Sequence, residues 1–343
     1  MSSKPVILVA IGDPCGIGPE ILCKVIAGGE IQPQVVPVAI GSIEALEMAN
    51  DIAGTGLSFR KVDSVEQARG ELGCLDVIDN GHLPPGNVVF GEASAISGKA
   101  QMAWIIEADE ICRRGDAAGF MMGVINTGAL EMAGGWEPIE ALVEPTPYQS
   151  YLLVITGPLR VMHLVHHRNV REVCDLIHKD LVLHALEMTH DSFEAWGIKA
   201  PRIAVSGWNP HAHGPEDQAE IEPGVALAKA KGIDVTGPIS PDTVYRQNIE
   251  GQYDAVLAMS HDQGHIAIKT WGFLGNCSVT LGMPYISTSV AHGTAYDIAG
   301  KGIAKPDNML EAMKLTASLA NGNGFLPLPE AVGASDEKVP VEA

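Results

Sequence analysis

The chain has 343 residues, a length typical of two domains or of one large α/β unit. It carries 22 Lys and Arg against 42 Asp and Glu, a formal charge of −20. This acidity argues against a nucleic-acid-binding protein, which needs a basic surface to displace counterions from phosphates. Hydrophobic residues make up 46% of the chain, enough for a substantial core, so a wholly disordered protein is excluded. A small anionic substrate remains compatible with this charge, since its pocket needs only local positive charge.

The cysteines and the N-terminal segment bear on the cellular compartment. Six cysteines are scattered without any Cys-x-x-Cys pair, which favours reduced thiols in a cytoplasmic protein. The apolar run at 5–11 is ended by Gly12-Asp13, which is too soon for a signal peptide, so it predicts a first strand. No apolar stretch approaches the roughly 18 residues of a membrane span, so we expect no membrane-spanning segment.

Short apolar runs alternate with longer segments of helical periodicity along the chain. The later predicted strands cover residues 35–40, 120–125, 160–164, 202–206, 255–259 and 278–281. The predicted helices cover residues 42–49, 94–114, 170–189 and 222–231. This alternation favours a mostly parallel sheet with helices on both faces. In such sheets ligands bind outside the carboxyl ends of the strands, so polar residues that follow strands are the candidates for a site.

Pro- and Gly-rich segments indicate joints and a tail. The stretches near 128–147 and 282–293 are the candidate joints between domains. From about Pro329 onward the chain mixes Gly, Pro, Glu and Asp with little periodicity, which predicts a flexible tail.

Three histidines, His167, His211 and His261, each follow a predicted strand. Three imidazoles at strand ends could bind one divalent ion and leave a position open for substrate. Such an ion would polarise a hydroxyl or carbonyl oxygen. The alternative is a set of hydrogen-bonded loop histidines, because the chain has 12 histidines and these three are not spaced like helical ligands. The spacing alone leaves both interpretations open.

Two further features have a functional and a plain structural interpretation. The segment Gly12-Asp13-Pro14-Cys15-Gly16 follows the first strand and opens a predicted helix, so its backbone could approach an anion. It lacks the third glycine of the dinucleotide fingerprint, and a tight β–α turn is the simpler interpretation. Lys269 lies close to His261 in sequence and could bind a carboxylate or exchange a proton if its pKa is lowered. An ordinary surface lysine is the alternative.

Five motifs in order resemble the 4-hydroxythreonine-4-phosphate dehydrogenase (PdxA) family over about residues 5–320. They are 12–20 (GDPCGIGPE), Asn209-Pro210-His211, Pro241-Asp242-Thr243, His261-Asp262-Gln263-Gly264 and His292-Gly293-Thr294-Ala295. The resemblance implies a two-domain α/β/α fold similar to that of isocitrate and isopropylmalate dehydrogenases, with the active site in the interdomain cleft. The first domain would comprise 1–128 and 290–328, the second 129–289 with the metal histidines and the dimer interface, and 329–343 would be the tail. An obligate homodimer is implied, in which the partner chain completes each site.

The resemblance also implies roles for individual residues. The metal ligands fall on His167, His211 and His261, whereas His163 and His166 align with positions that are not ligands. Lys269 and Asp242 match the catalytic positions, and Lys269 is also the substrate lysine. NAD or NADP is the implied cofactor, with contacts expected from Gly12, Asp13, His292, Gly293 and Asp297. One divalent ion per site is implied, zinc first, with cobalt, manganese, nickel or magnesium as alternatives.

Departures from the family bear on the substrate. Residues 144–150 (EPTPYQS) replace a His-Thr-Glu segment, and Ser278 and Ser287 stand where enzymes of phosphorylated substrates have Asn and Arg. A serine supplies neither the charge nor the bidentate geometry of arginine. We therefore expect a non-phosphorylated hydroxy or cis-diol carboxylate, as in the similar terephthalate dihydrodiol dehydrogenases, contacted by Lys269, Ser278, Ser287 and Tyr148.

The leading hypothesis is a metal- and NAD(P)-dependent dehydrogenase that oxidises a secondary alcohol beta to a carboxylate and then decarboxylates the product. The cofactor accepts the hydride and the ion stabilises the developing alkoxide. One alternative is a genuine 4-hydroxythreonine-4-phosphate or 4-phospho-aldonate dehydrogenase. Another is a metal-dependent lyase or hydrolase that does not use nicotinamide. The expected partners are a small anionic substrate and a second copy of the chain, with neither nucleic acid nor membrane.

Overall fold

A single mixed β-sheet organises the protein. The structure, a computed structural model, describes residues 4–272, 276–290 and 292–327. Within these ranges the sheet has twelve strands: β1 Val6–Ala10, β2 Val36–Ile40, β3 Ser58–Lys61, β4 Cys74–Ile78, β5 Gly119–Met122, β6 Tyr151–Thr156, β7 Leu159–Val165, β8 Ile203–Ser206, β9 Val235–Ile239, β10 Ala255–Ser260, β11 Cys277–Leu281 and β12 Ile286–Val290.

Helices of four to nineteen residues connect and cover these strands. In the described ranges they are α1 Gly18–Gly28, α2 Ile43–Ala53, α3 Ala95–Arg113, α4 Thr127–Met132, α5 Glu140–Val143, α6 Val170–Leu176, α7 Lys179–Ala195, α8 Glu222–Ala230, α9 Val244–Ile249, α10 His261–Trp271 and α11 Asp307–Ala320. None of the helices in the described part of the chain is long and apolar enough to cross a membrane.

The strand order is β3-β4-β2-β1-β5-β12-β11-β6-β7-β10-β8-β9. One parallel part of the sheet consists of β3, β4, β2, β1, β5 and β12, in that spatial order. A second parallel part consists of β7, β10, β8 and β9. Between them, β12, β11, β6 and β7 are antiparallel neighbours. The predicted α/β class with a mostly parallel sheet is therefore confirmed. The division at 128 and 290 into two domains stays a prediction, since one sheet runs through both parts.

The burial of the strands follows from their position in the sheet. Four of the five residues of β1 are fully buried, as expected of a parallel strand covered on both faces. The largest buried side chains include Trp104 of α3, Phe120 of β5 and Tyr151 of β6. None of the six cysteines is disulfide-bonded.

Several predicted elements have different bounds in the structure. The predicted helix at 170–189 is two helices, because Ile177 and His178 adopt extended backbone between α6 and α7. The predicted helix at 42–49 continues to Ala53, where Gly54 ends it in a left-handed conformation. The predicted joints at 128–147 and 282–293 contain α4, α5 and β12, whose sequences lack a long apolar run. The predicted tail beyond Pro329 lies outside the described residues.

Candidate active site

Three adjacent strands carry the candidate metal histidines to one edge of the sheet. Strand β10 lies between β7 and β8, and it is parallel to both. His166 and His167 follow β7, His261 follows β10, and His211 follows β8. Because the carboxyl ends of parallel strands meet at the same edge, this edge is where a ligand of an α/β sheet is expected.

The tightest group of possible metal ligands consists of His166, His167 and His261. One ring nitrogen from each lies within 4.8 Å of the others. The ring centroids are 3.8 Å apart for His166 and His167, and 5.0 Å apart for His167 and His261. The structure thus brings two predicted ligands together and adds His166, which the sequence did not single out.

The backbone explains how two consecutive histidines reach one pocket. In a regular strand, neighbouring side chains point to opposite faces of the sheet. His167 is the second residue after the end of β7 and has a φ of 39°, in the left-handed region. This turn ends the strand alternation, so that His166 and His167 lie side by side.

His211 lies elsewhere along the same edge. It occupies a short turn, Pro210–Ala212, with a φ of 58°, and its side chain is exposed. Two strand spacings, about 10 Å, separate β7 from β8, so His211 does not join the histidine group within one chain.

Asp242 follows β9, beyond His211. Its carboxylate accepts hydrogen bonds from the hydroxyls of Ser240 at 2.7 Å and Thr243 at 2.9 Å. These bonds, with a smaller contribution from the charge of His211, lower the pKa of Asp242. Asp242 and His211 therefore belong together at the β8–β9 end of the edge, apart from the histidine group.

Glu144, at the end of α5, orients the histidine group. Its Oε2 accepts a hydrogen bond from Nδ1 of His167 at 2.7 Å, and its Oε1 lies 3.5 Å from Nδ1 of His166. A carboxylate on Nδ1 fixes the tautomer of a histidine and leaves Nε2 as a lone-pair donor for a metal. In the sequence, Glu144 stands out only as the first residue of the segment 144–150, which departs from the family. Nothing in the local pattern pairs residue 144 with residue 167.

Helix α10 presents a row of three polar side chains at intervals of four residues: His261, His265 and Lys269. The sequence predicts only that His261 follows a strand, and in the structure it is the first residue of α10. His265 was also missed, although its four-residue spacing from His261 is readable as one face of a helix. Burial, followed by the nearby charges of His261 and Lys269, lowers the pKa of His265 to about 4.

These side chains line a pocket of about 260 Å³. Its lining residues are Leu152, Val154, His166, His167, His261, His265, Ile268, Lys269, Asn276 and Ser278. Lys269 is the one lysine or arginine among them. Burial, followed by the neighbouring histidines, lowers the pKa of His166 to about 2. Because a metal ligand must be a neutral imidazole, this donor set fits a divalent ion of the zinc type.

A second pocket, of about 130 Å³, adjoins the first and is lined by hydroxyl groups. Its hydroxyl-bearing residues are Ser278, Thr280, Ser287, Thr288 and Ser289 of β11 and β12. The two pockets share Leu152, His166 and Ser278. No described residue that lines this hydroxyl pocket is acidic, and none is a lysine or an arginine.

The pairing of β11 with β12 builds this hydroxyl pocket. Ser278 lies opposite Ser289, and Thr280 lies opposite Ser287. The hydroxyls of Ser278 and Ser289 are hydrogen-bonded at 2.6 Å. The predicted substrate residues Ser278 and Ser287 are thus adjacent to the histidine group. The predicted substrate residue Tyr148 is not among the described residues that line either pocket. It is half exposed and packs against His184, with ring centroids 5.4 Å apart.

A third pocket, of about 460 Å³, collects part of the predicted cofactor site. His292 and Gly293 line it together with Lys305, Asp307 and Asn308 at the start of α11. Polar and charged side chains beside a helix N-terminus suit the phosphates and ribose hydroxyls of a dinucleotide. The residues present therefore fit NAD or NADP.

The other predicted cofactor residues have structural contacts. Gly12 has a φ of 74°, and a Cβ there would lie 2.2 Å from the backbone oxygen of Val124. Asp13 is buried and accepts hydrogen bonds from the Tyr296 hydroxyl and the Cys15 amide. Burial raises the pKa of Asp13, and these hydrogen bonds offset part of that rise. Neither residue lines the third pocket, and the exposed Asp297 does not line it either.

The turn that begins at Gly12 reaches the third pocket through Ile17, which lines it. The amide of Ile17 donates a hydrogen bond to the backbone oxygen of Thr294 at 3.1 Å, and Gly16 lies against the Thr294 side chain. The first β–α turn therefore supports the loop that carries His292 and Gly293. This agrees with the simpler interpretation of the segment, a tight β–α turn.

Comparisons with known proteins identify relatives over nearly the whole chain. The family model described as "Pyridoxal phosphate biosynthetic protein PdxA" matches residues 33–316. A protein of Novosphingobium aromaticivorans, provisionally named a 4-hydroxythreonine-4-phosphate dehydrogenase, is 48% identical over 94% of this chain and 97% of its own length. The D-threonate 4-phosphate dehydrogenase of Cupriavidus necator is 38% identical over 92% of this chain and 97% of its own length.

Solved structures give the same picture. The 4-hydroxythreonine-4-phosphate dehydrogenase of Burkholderia phymatum is 36% identical, with a TM-score of 0.82 over 93% of this chain and 99% of that one. A terephthalate 1,2-cis-dihydrodiol dehydrogenase of Burkholderia xenovorans is 29% identical, with a TM-score of 0.69 over 92% and 98%. A β-decarboxylating dehydrogenase of Thermococcus kodakarensis, 14% identical with a TM-score of 0.50 over 92% and 83%, resembles the chain in fold alone.

These relatives decide between the hypotheses drawn from the sequence. The expectation of a non-phosphorylated substrate is not supported, because the more similar relatives are named for phosphorylated substrates and the terephthalate enzyme is more distant. The alternative of a phosphorylated substrate is better supported. The relatives are named dehydrogenases, which favours an oxidoreductase over a lyase or hydrolase.

Proposed function

We propose that this chain, which belongs to the PdxA family and is an oxidoreductase acting on a CH–OH group, oxidises a secondary alcohol of a phosphorylated hydroxy acid with NAD or NADP. The substrate class is that of the relatives, 4-hydroxythreonine 4-phosphate or D-threonate 4-phosphate. The observation that carries the proposal is the convergence of His167, His261 and Lys269 on one pocket. It combines ligands for a Lewis acid with a cation for an anionic substrate.

The histidine group would hold the divalent ion. His167 and His261 are the two predicted ligands that share the pocket, and Glu144 holds His167 in the tautomer that a ligand needs. When bound, the ion supplies Lewis-acid polarisation of the substrate oxygen that is oxidised. Zinc suits neutral imidazole donors, and the same donors accept cobalt, manganese or nickel.

The remaining residues of the two pockets would bind and orient the substrate. Lys269 offers one ammonium group to a phosphate or carboxylate, and the hydroxyls of Ser278 and Ser287 offer hydrogen bonds to neutral groups. An anion placed among those hydroxyls would be desolvated without a counter-charge, which is costly. We therefore propose that the phosphate lies on the Lys269 side of the histidine group. Oxidation of a hydroxyl beta to the carboxylate would give a β-keto acid, which loses carbon dioxide.

The dinucleotide would lie in the third pocket, between the loop at His292-Gly293 and the start of α11. Lys305 and Asp307 are exposed there and can contact phosphate and ribose groups, respectively. Direct contacts by Gly12, Asp13 and Asp297 remain predictions of the family resemblance. The structural contacts of Gly12 and Asp13 favour a supporting role for them.

A homodimer with shared sites accounts for His211 and Asp242. Both lie on the functional edge of the sheet, yet outside the histidine group of their own chain. We propose that they reach the active site of the partner chain, in a cleft between the two predicted domains, where His211 stays a predicted metal ligand. Ile266 and Trp271 of α10 are 68% and 51% exposed, which leaves apolar surface beside the site for an interface.

Steady-state kinetics tests the proposed function. The purified protein, loaded with Zn²⁺, is assayed for nicotinamide reduction with D-threonate 4-phosphate and 4-hydroxythreonine 4-phosphate, using NAD and NADP in turn. D-threonate is the matched substrate without phosphate. We expect kcat/KM of about 10⁴ M⁻¹s⁻¹ or more for one phosphorylated substrate, and a far lower value for D-threonate. Equal or better turnover of D-threonate would contradict the proposal.

A further inference from the structure

We infer that Lys24 of α1 is a positioning residue for the dinucleotide. With Glu20 it holds the loop of residues 301–306, and through that loop it sets where Lys305 lies in the third pocket. The inference rests on the proposed function, which places NAD or NADP in that pocket. Neither Glu20 nor Lys24 is among the described residues that line the pocket. Both would therefore act through the loop and not on the cofactor.

Lys24 uses its whole ammonium group inside the protein. The ammonium donates to Oε1 of Glu20 at 2.7 Å, to the backbone oxygen of Gly302 at 2.9 Å and to that of Ala304 at 2.7 Å. An ammonium has three N–H groups, so all of its donors are taken by these three bonds. Its side chain is 19% exposed, although lysine is a residue that usually lies at the surface. Lys24 therefore binds the loop and has no donor left for a ligand.

Ala304 is held at both of its backbone polar groups. Its oxygen accepts the bond from Lys24, and its amide donates to Oε1 of Glu20 at 2.9 Å. Glu20 is buried and lies one helical turn before Lys24 on α1. Residues 301–306, all within the described chain, form neither a helix nor a strand. The two side chains thus supply the hydrogen bonds that regular backbone pairing supplies elsewhere.

The held segment leads directly into the third pocket. Lys305 follows Ala304, and Asp307 begins α11, and both line the pocket. A loop that is ordered only when a ligand binds lowers the affinity, because its conformational entropy is lost at that moment. A loop that is fixed beforehand avoids that loss. The bonds from α1 therefore favour dinucleotide binding without a contact of their own.

The rival interpretation is an ion pair that only stabilises the fold. Oε2 of Glu20 is buried and has no hydrogen-bond partner among the described residues, so Lys24→Met alone leaves a buried charge unpaired. A paired variant, Glu20→Gln with Lys24→Met, removes both charges and keeps an acceptor for the Ala304 amide. Arg60→Met is the matched control. Arg60 is 24% exposed and pairs with the buried Asp76 on β3 and β4, away from the third pocket.

Dinucleotide affinity is the direct measurement, because it needs no turnover. Each full-length variant is titrated with NADH and with NADPH, and nicotinamide fluorescence gives the Kd. We expect Lys305→Ala to raise the Kd by about 10- to 150-fold, the equivalent of one hydrogen bond to a charged group. The paired variant should raise it by about 10-fold or more, the lower end of that range. Arg60→Met should change it by less than about twofold, as expected of a distant, independent site.

A double-mutant cycle separates positioning from stabilisation. If Lys24 acts through Lys305, the paired variant should add less than about twofold to the Kd once Lys305→Ala is present. An ion pair that only stabilises the fold leaves the Kd unchanged, or raises it by the same factor in both backgrounds. Urea unfolding of each variant records the loss of stability, which should be present in Arg60→Met without the change in Kd.

The results that would overturn the inference differ in reach. A wild-type Kd in the paired variant, with weaker binding by Lys305→Ala, would overturn it and leave the proposed function standing. Equal effects of the paired variant with and without Lys305, or an unchanged Kd in Lys305→Ala, would do the same. Failure of the wild-type protein to bind either dinucleotide would overturn it together with the cofactor part of the proposed function.

Discussion

His265 stacks on His261, with ring centroids 3.9 Å apart and ring planes within 17° of parallel. The two residues are one helical turn apart on α10, and Nδ1 of His265 lies 3.2 Å from the backbone oxygen of His261. The depressed pKa of His265 keeps its ring neutral at physiological pH. It therefore holds His261 in place without putting a positive charge beside this predicted metal ligand.

His265→Ala should weaken metal binding without removing a ligand. Loss of the stack frees the His261 ring to rotate, and we expect the metal Kd to rise by about 10- to 100-fold, the usual effect of removing an outer partner. His265→Phe keeps a flat neutral ring and should restore much of the affinity. Chelator competition checks both variants. Unchanged affinity in His265→Ala would mean that other contacts orient His261.

Lys269 and Ser287 should differ in their effect on a phosphorylated substrate. Lys269 is the one lysine or arginine among the described residues that line the histidine pocket, whereas Ser287 lies in the uncharged hydroxyl pocket. Removing the charged partner of a desolvated anion costs about 2–5 kcal/mol, so Lys269→Ala should raise the KM for D-threonate 4-phosphate by about 30-fold to several thousand-fold. Lys269→Arg should recover part of this loss.

Ser287→Ala removes a neutral hydrogen bond worth about 0.5–1.5 kcal/mol, which corresponds to about 2- to 13-fold in KM. Steady-state kinetics on the three variants measures the contrast. A larger effect from Ser287→Ala than from Lys269→Ala would place the phosphate in the hydroxyl pocket.

The histidine site shows what the sequence could and could not predict. His167 and His261 were predictable because a polar residue after a buried apolar run marks the functional edge of a parallel sheet. The position of His166 beside His167 was not predictable, because strand alternation puts the two side chains on opposite faces of the sheet. Only the left-handed backbone at His167 brings them together. The role of Glu144 was not predictable either, because its contact with His167 spans 23 residues and depends on where α5 packs.

The position of His211 could not be read from the sequence for a different reason. All three strand-end histidines were recognised, but their separation depends on the order of the strands. Strand β10 comes after β8 in the chain, yet it lies between β7 and β8 in the sheet. That insertion places His261 beside His167 and moves His211 away.

His163 should make stability depend on pH. It is 1% exposed, its Nδ1 lies 3.0 Å from the Leu152 backbone oxygen, and its Nε2 has no hydrogen-bond partner. Burial, followed by the charge of His265, lowers its pKa to about 3. The unfolded chain binds a proton at this residue below about pH 6.5, whereas the folded protein does not until about pH 3. The contribution of the neutral His163 to the free energy of unfolding is therefore complete above about pH 6.5 and is lost as the pH falls toward 3.

The loss amounts to about 1.4 kcal/mol per pH unit for one such group. His163→Gln removes the titration, so the drop in unfolding free energy between pH 7.5 and pH 5 should shrink by about 2 kcal/mol. Urea unfolding of the metal-free protein at both pH values measures it. The same drop in wild type and variant would contradict a neutral, buried His163.

Subunit exchange should reveal which residues of the edge act across the dimer. His167 and Lys269 line one pocket of one chain, whereas His211 is proposed to serve the active site of the partner. In a heterodimer of His167→Ala and His211→Ala chains, one site has an intact histidine group and an intact partner His211. Random exchange of equal amounts should then restore about 25% of wild-type activity, since half the dimers are mixed and each has one good site.

In a mixture of His167→Ala and Lys269→Ala, every site lacks one residue, and we expect no recovery. Mass spectrometry of the intact dimers verifies the exchange. Recovery in the second mixture, or its absence in the first, would contradict the proposed arrangement of the shared site.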